Sequence, residues 1–117
     1  MAKAILDRDR ALILQPDVLF VSTARLSIIR DQVWGPPDLV AEVLSHGTRR
    51  HDRGAKLDWY QQYGVRECWL VDLHDDSVTV VDFTGPARAS RTAKGVEPMV
   101  STVLPDLELS AFGLFPD

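Results

Sequence analysis

Between Pro37 and Ser45 the chain reads Pro-Asp-Leu-Val-Ala-Glu-Val-Leu-Ser, a strand-like apolar run interrupted by two carboxylates. Successive side chains of an extended strand point to opposite faces, so Asp38, Val40, Glu42 and Leu44 share one face and Leu39, Ala41 and Val43 the other. Glu42 therefore falls mid-strand among core residues. A carboxylate there is expensive to desolvate unless a cation or hydrogen-bond donors compensate it, which makes Glu42 a better functional clue than any surface charge in the chain. About one turn of loop later comes a polar helical stretch carrying Lys56.

With 117 residues and 45% apolar content, the chain has enough for one core and not for two, so a single domain over residues 1–117 is expected. A net charge of -4 argues against a protein that coats nucleic acid non-specifically. Local charge is different: Arg49, Arg50, Arg53 and Lys56 face one acid, Asp52, and such a cluster either meets phosphate or forms a solvated helix face. The single cysteine, Cys68, excludes an intramolecular disulfide and reads as a buried structural thiol. No run of about 18 apolar residues occurs, and the N-terminus turns charged early, so a cytoplasmic protein without a membrane span is expected.

Ala4–Leu6 reads as a short strand, and Ala11–Val21 as a second that closes a hairpin with it. Pro16 interrupts the second, so its hydrogen-bonded parts are expected on either side. Ser22–Gln32 has no clean period and reads as loop, closed by Gly35-Pro36-Pro37. The spacing predicts strands near 38–44, 66–72 and 78–83, and a helix from Arg50 to Tyr63 that stops at Gly64. Ala87–Ala93 is a weak, outward-facing strand candidate. Leu104–Phe115 alternates apolar positions around Pro105. The fold class is α/β, a mixed central sheet with the helix packed on it.

Asp17, Glu42 and Lys56, with Asp38 as a possible fourth, are the candidate chemical groups. Two carboxylates from adjacent strands can share a hard divalent ion, most naturally Mg²⁺, with an ammonium orienting an attacking water, which points to phosphodiester hydrolysis. Strand-end salt bridges and caps are the bland account of the same residues. His46 and His51 straddle a loop-to-helix junction and do not offer the four ligands of a zinc site. Ser45 lacks a nucleophile elbow and reads as a helix cap. Trp59, Tyr60 and Tyr63 lie at helical spacing and read as packing rather than base-stacking residues.

Several segments together resemble one family. They are Gln15-Pro16-Asp17-Val18-Leu19-Phe20-Val21, Pro37 to Ser45, Asp52-Arg53-Gly54-Ala55-Lys56-Leu57 with Tyr60, Tyr63 to Asp72, and Leu104-Pro105-Asp106-Leu107. In order and spacing they resemble the Uma-type restriction endonucleases of the PD-(D/E)xK nuclease superfamily. That resemblance implies a restriction-endonuclease-like core, DNA as substrate, Mg²⁺ or Mn²⁺ as cofactor, and Asp17 and Glu42 as metal ligands. Asp38 either ligates through water or caps the strand entry.

Two departures from the family pattern matter. The superfamily lysine sits two residues after the acid, where this chain has Leu44, and Lys56 on the following helix is the natural substitute. The resemblance also implies more chain before the Pro16-Asp17 motif than the roughly fifteen residues here. Self-association as a homodimer that completes the core is expected, and Arg49, Arg50 and Arg53 are candidate DNA contacts; the alternative to an active enzyme is a shortened remnant of the nuclease fold that binds or assembles without cutting.

Overall fold

Antiparallel strands can be joined by tight turns, whereas parallel neighbours need a crossover, and this distinction organises the protein. The structure, a computed structural model, describes residues 4–7, 12–14, 18–21, 25, 28–29, 33–44 and 50–105. Its strands are β1 (Ala4–Asp7), β2 (Leu12–Leu14), β3 (Val18–Phe20), β4 (Val33–Trp34), β5 (Leu39–Leu44), β6 (Glu67–Asp72), β7 (Ser77–Asp82) and β8 (Ala89–Lys94), with the helix α1 (Arg50–Gln62) between β5 and β6. A five-stranded sheet has the order β3-β5-β6-β7-β8, and a three-stranded sheet the order β2-β1-β4. Only β5 and β6 run parallel in the larger sheet, and α1 supplies the crossover that this pairing requires.

The stretch read as one strand over residues 11–21 is two. β2 pairs antiparallel with β1, as the hairpin expectation has it, while β3 pairs with β5 in the other sheet. A proline supplies no N–H to a ladder, and the chain changes sheets across the segment that contains Pro16. Val33–Trp34, expected to follow a loop, forms β4 and pairs parallel with β1. Asp106 to Asp117, including most of the Leu104–Phe115 stretch, lies outside the described residues.

Strand alternation gives the larger sheet two apolar faces. On one, Val40, Leu44, Cys68, Leu70 and Val81 pack with Tyr60 of α1 and with Val65, and Leu57 and Tyr63 close the margin. On the other, Val78, Val80, Ala93 and Met99 pack with Trp69 and Val71. The helix ends in a Schellman motif: Val65 N–H donates to the Tyr60 carbonyl at 2.9 Å and Gly64 N–H to that of Gln61 at 3.4 Å. Gly64 adopts φ +96°, a conformation that costs a residue with a side chain appreciably more. Arg88, in the β7–β8 loop, clamps the same end of the helix through Asp58 at 2.7 Å and Gln61 at 2.7 and 3.0 Å, with its guanidinium over the Phe83 ring.

Met99 and its neighbours are held on the second face by a buried acid. Glu67 accepts hydrogen bonds from Trp69 Nε1 (2.7 Å), Ser101 Oγ (2.6 Å), Thr102 N–H (2.8 Å) and Val103 N–H (3.3 Å). Both of its oxygens are thereby used, which is how a fully buried carboxylate avoids its desolvation penalty.

Asp82 ties the same segment from β7. The Thr84 hydroxyl, then the Thr84 N–H, and also the Thr102 hydroxyl donate to it and hold its carboxyl below the ordinary value of 3.8. A depressed folded-state pKa contributes stability that is present above the unfolded value and is lost as pH falls through the folded one. The thermal midpoint is therefore expected to fall as the pH drops below about 4, and to fall less in Asp82→Asn. Equal acid sensitivity of the two proteins in a pH series of melting curves would remove Asp82 from this account.

Candidate active site

Glu42 lies in the middle of β5, opposite Leu70 of β6, and is 8% exposed. Its position follows from the alternation that puts Val40 and Leu44 into the core beside it. The compensating groups come from α1. Lys56 and Tyr60 are four residues apart and so share one helix face. Tyr60 Oη donates to Glu42 Oε1 at 2.5 Å, and Lys56 Nζ reaches Oε2 at 3.5 Å. Lys56 keeps 40% of its side chain exposed, so its ammonium joins the buried carboxylate to solvent.

Below this pair the Cys68 thiol is buried, and its pKa is pushed far above the ordinary value, first by burial and then by the Glu42 charge. It stays protonated at neutral pH, as a buried structural thiol does. Asp38, at the entrance to β5, is 2% exposed and pairs with Arg25 at 3.3 Å and Arg66 at 3.5 Å. Its N–H donates to the Phe20 carbonyl at 2.8 Å, and its carbonyl accepts the Arg66 N–H at 3.1 Å. Asp38 thus joins the starts of β5 and β6 to the end of β3.

Of the residues singled out in the sequence, the structure brings Glu42 and Lys56 together. Asp17 and Arg49 lie outside the described residues, while Arg50 and Arg53 fall in the first turn of α1. Among the described residues no group of three or more His, Cys, Asp and Glu side chains is placed to hold a metal ion. Sequence reasoning treated Tyr60 as packing. Its four-residue spacing from Lys56 was the available sign that it faces the same acid. No helix among the described residues is long and apolar enough to cross a membrane.

Comparison with known proteins adds the following. A family model described as "Uma2: Putative restriction endonuclease" matches residues 4–111. Among solved structures, the protein is similar to a "putative nuclease belonging to DUF820" from Anabaena variabilis, with a TM-score of 0.72 at 17% identity. The match covers 90% of this chain and 61% of the other, so the chain spans about three fifths of that neighbour's length. At this identity the likeness is one of fold, and it is the restriction-endonuclease-like fold that the sequence resemblance implies. No curated protein matched the chain.

Proposed function

Because the chain belongs to the Uma2 family of restriction-endonuclease-like proteins, we propose that it is a divalent-metal-dependent endonuclease that hydrolyses DNA phosphodiester bonds, with Glu42 and Asp17 as metal ligands and Lys56 assisting the attacking water. The observation that carries this reading is the 3.5 Å approach of Lys56 Nζ to Glu42 Oε2. A helix here returns to the acid the lysine that Leu44 does not supply from the strand.

The support for Asp17 is the resemblance of the Gln15-Pro16-Asp17 segment to the first acidic motif of the family. A divalent ion suits the donor chemistry. Glu42 offers hard oxygen, and an ammonium already stands where positive charge is favoured beside Oε2. When bound, Mg²⁺ would supply Lewis acidity at a phosphoryl oxygen and a more acidic water. Asp38, held by two guanidinium groups, fixes the entry of β5 in this proposal, the second of its two roles left open by the sequence. Arg50 and Arg53, at the N-terminal end of the helix that carries Lys56, are proposed to meet the DNA backbone.

Supercoiled plasmid, purified protein and Mg²⁺ or Mn²⁺ test the proposal. The wild type should nick or cut only with the metal present, and Lys56→Met should lower the rate about a hundred-fold or more, the usual cost of removing one charge-stabilising donor. The same substitution should leave divalent-ion affinity unchanged or tighter, since the ammonium no longer competes for Oε2. Cleavage by Lys56→Met at the wild-type rate would end the assignment of the lysine. A wild type that cuts under no divalent ion, yet retains plasmid in a filter-binding assay, would favour a binding module.

A further inference from the structure

Glu42 is held through both oxygens by one helix, and the two holds differ in kind. Tyr60 is wholly buried, with its ring among Val40, Leu44, Val65, Cys68 and Leu70. Its carbonyl anchors the Schellman motif that ends α1, so backbone and ring are both fixed. Lys56 is partly exposed, its side chain has four rotatable carbons, and its contact is a full ångström longer. A phenylalanine ring would fill the same space, so the core itself gives no reason for a hydroxyl at position 60. The hydroxyl has a local purpose at Oε1.

We propose that Tyr60 is a positioning residue of the nuclease site: its hydroxyl fixes the Glu42 carboxylate through Oε1, so that Oε2 is the oxygen presented to a divalent cation and to Lys56. This rests on the reading of Glu42 as a metal ligand. The terminal torsion of a glutamate is broad and roughly two-fold, so an unanchored carboxylate would spread over many orientations. One fixed donor at Oε1 removes that freedom before any ion arrives. It also leaves Lys56 as the partner that can yield Oε2, because a mobile ammonium is displaced more easily than a buried phenol. Outer-shell hydrogen bonds to metal-ligating groups act in this way, orienting the ligand without touching the ion.

The test is Mn²⁺ titration calorimetry on the wild type, Tyr60→Phe, Glu42→Gln and Val78→Ala, each below its own melting temperature. Val78→Ala truncates a buried core side chain on the opposite sheet face and serves as the purely structural control. Tyr60→Phe should weaken Mn²⁺ binding about ten-fold or more while Val78→Ala, though less stable, should bind as the wild type does. If Tyr60→Phe binds Mn²⁺ like the wild type and Glu42→Gln does not, the positioning role is overturned and Glu42 remains a ligand. If the wild type itself binds no Mn²⁺, the metal-ligand reading falls first and the role of Tyr60 falls with it.

Discussion

Replacing Glu42 with glutamine is expected to lower the metal-dependent DNA cleavage proposed for this chain by about a thousand-fold or more and to leave the protein folded, the largest functional effect expected of a single substitution. Glutamine keeps the length and planarity of the side chain, and its carbonyl oxygen still accepts the Tyr60 hydroxyl. What it lacks is the charge that would hold a divalent ion. The ion's stabilisation of the transition state is worth several kcal/mol, and each ~1.4 kcal/mol is a factor of ten in rate. Folding stability moves much less, because a carboxylate that is 8% exposed carries its own desolvation cost and the exchange relieves part of it. Rates from plasmid cleavage, set beside melting curves of the same preparations, separate the two effects. Cleavage by Glu42→Gln within a few-fold of the wild type would remove the central assumption about this site.

The largest effect on stability is expected elsewhere, at Glu67. Glu67→Ala strands four donors, Trp69 Nε1, Ser101 Oγ and the N–H groups of Thr102 and Val103, around a space with no acceptor. Each buried donor left unsatisfied costs about 1–3 kcal/mol, with some recovered by relaxation and water entry, so a net loss of about 3–5 kcal/mol is expected. That corresponds to a fall of more than about 10 °C in the thermal midpoint of a chain this size. Glu67→Gln retains one acceptor oxygen and should lie between. Urea unfolding that placed Glu67→Ala within 1 kcal/mol of the wild type would mean that the 101–104 segment is held mainly by Met99 and its neighbours. Glu67 lies on the sheet face away from Glu42, so metal affinity of the folded variant should not change.

How far the sequence revealed each part depended on how locally the physics acts. The β5 strand and the β6–β7 hairpin were legible because a period of two and a tight turn act within a few residues. Glu42 was legible as a buried charge for the same reason, and Lys56 as its partner once Leu44 was seen to occupy the usual lysine position. The break at Pro16 was visible, but a missing N–H says only that a ladder stops. It does not say that the next strand joins another sheet. β4 was hidden because two residues carry no period. The work of Glu67 was hidden more deeply, since all its partners but Trp69 lie 34 to 36 residues ahead in a segment without regular structure. Tyr60 was seen and assigned to packing, because an aromatic residue on an apolar helix face satisfies the packing argument before its hydroxyl is considered.

Glu42, Lys56 and Tyr60 all fall within the single crossover from β5 through α1 toward β6. The groups that grip one another therefore belong to one contiguous piece of chain, positions 42 to 60, while what seats that piece reaches on to Val65, Cys68, Leu70 and Arg88. A strand and the helix that follows it thus form one local unit that presents a phenol and an ammonium to a single carboxylate.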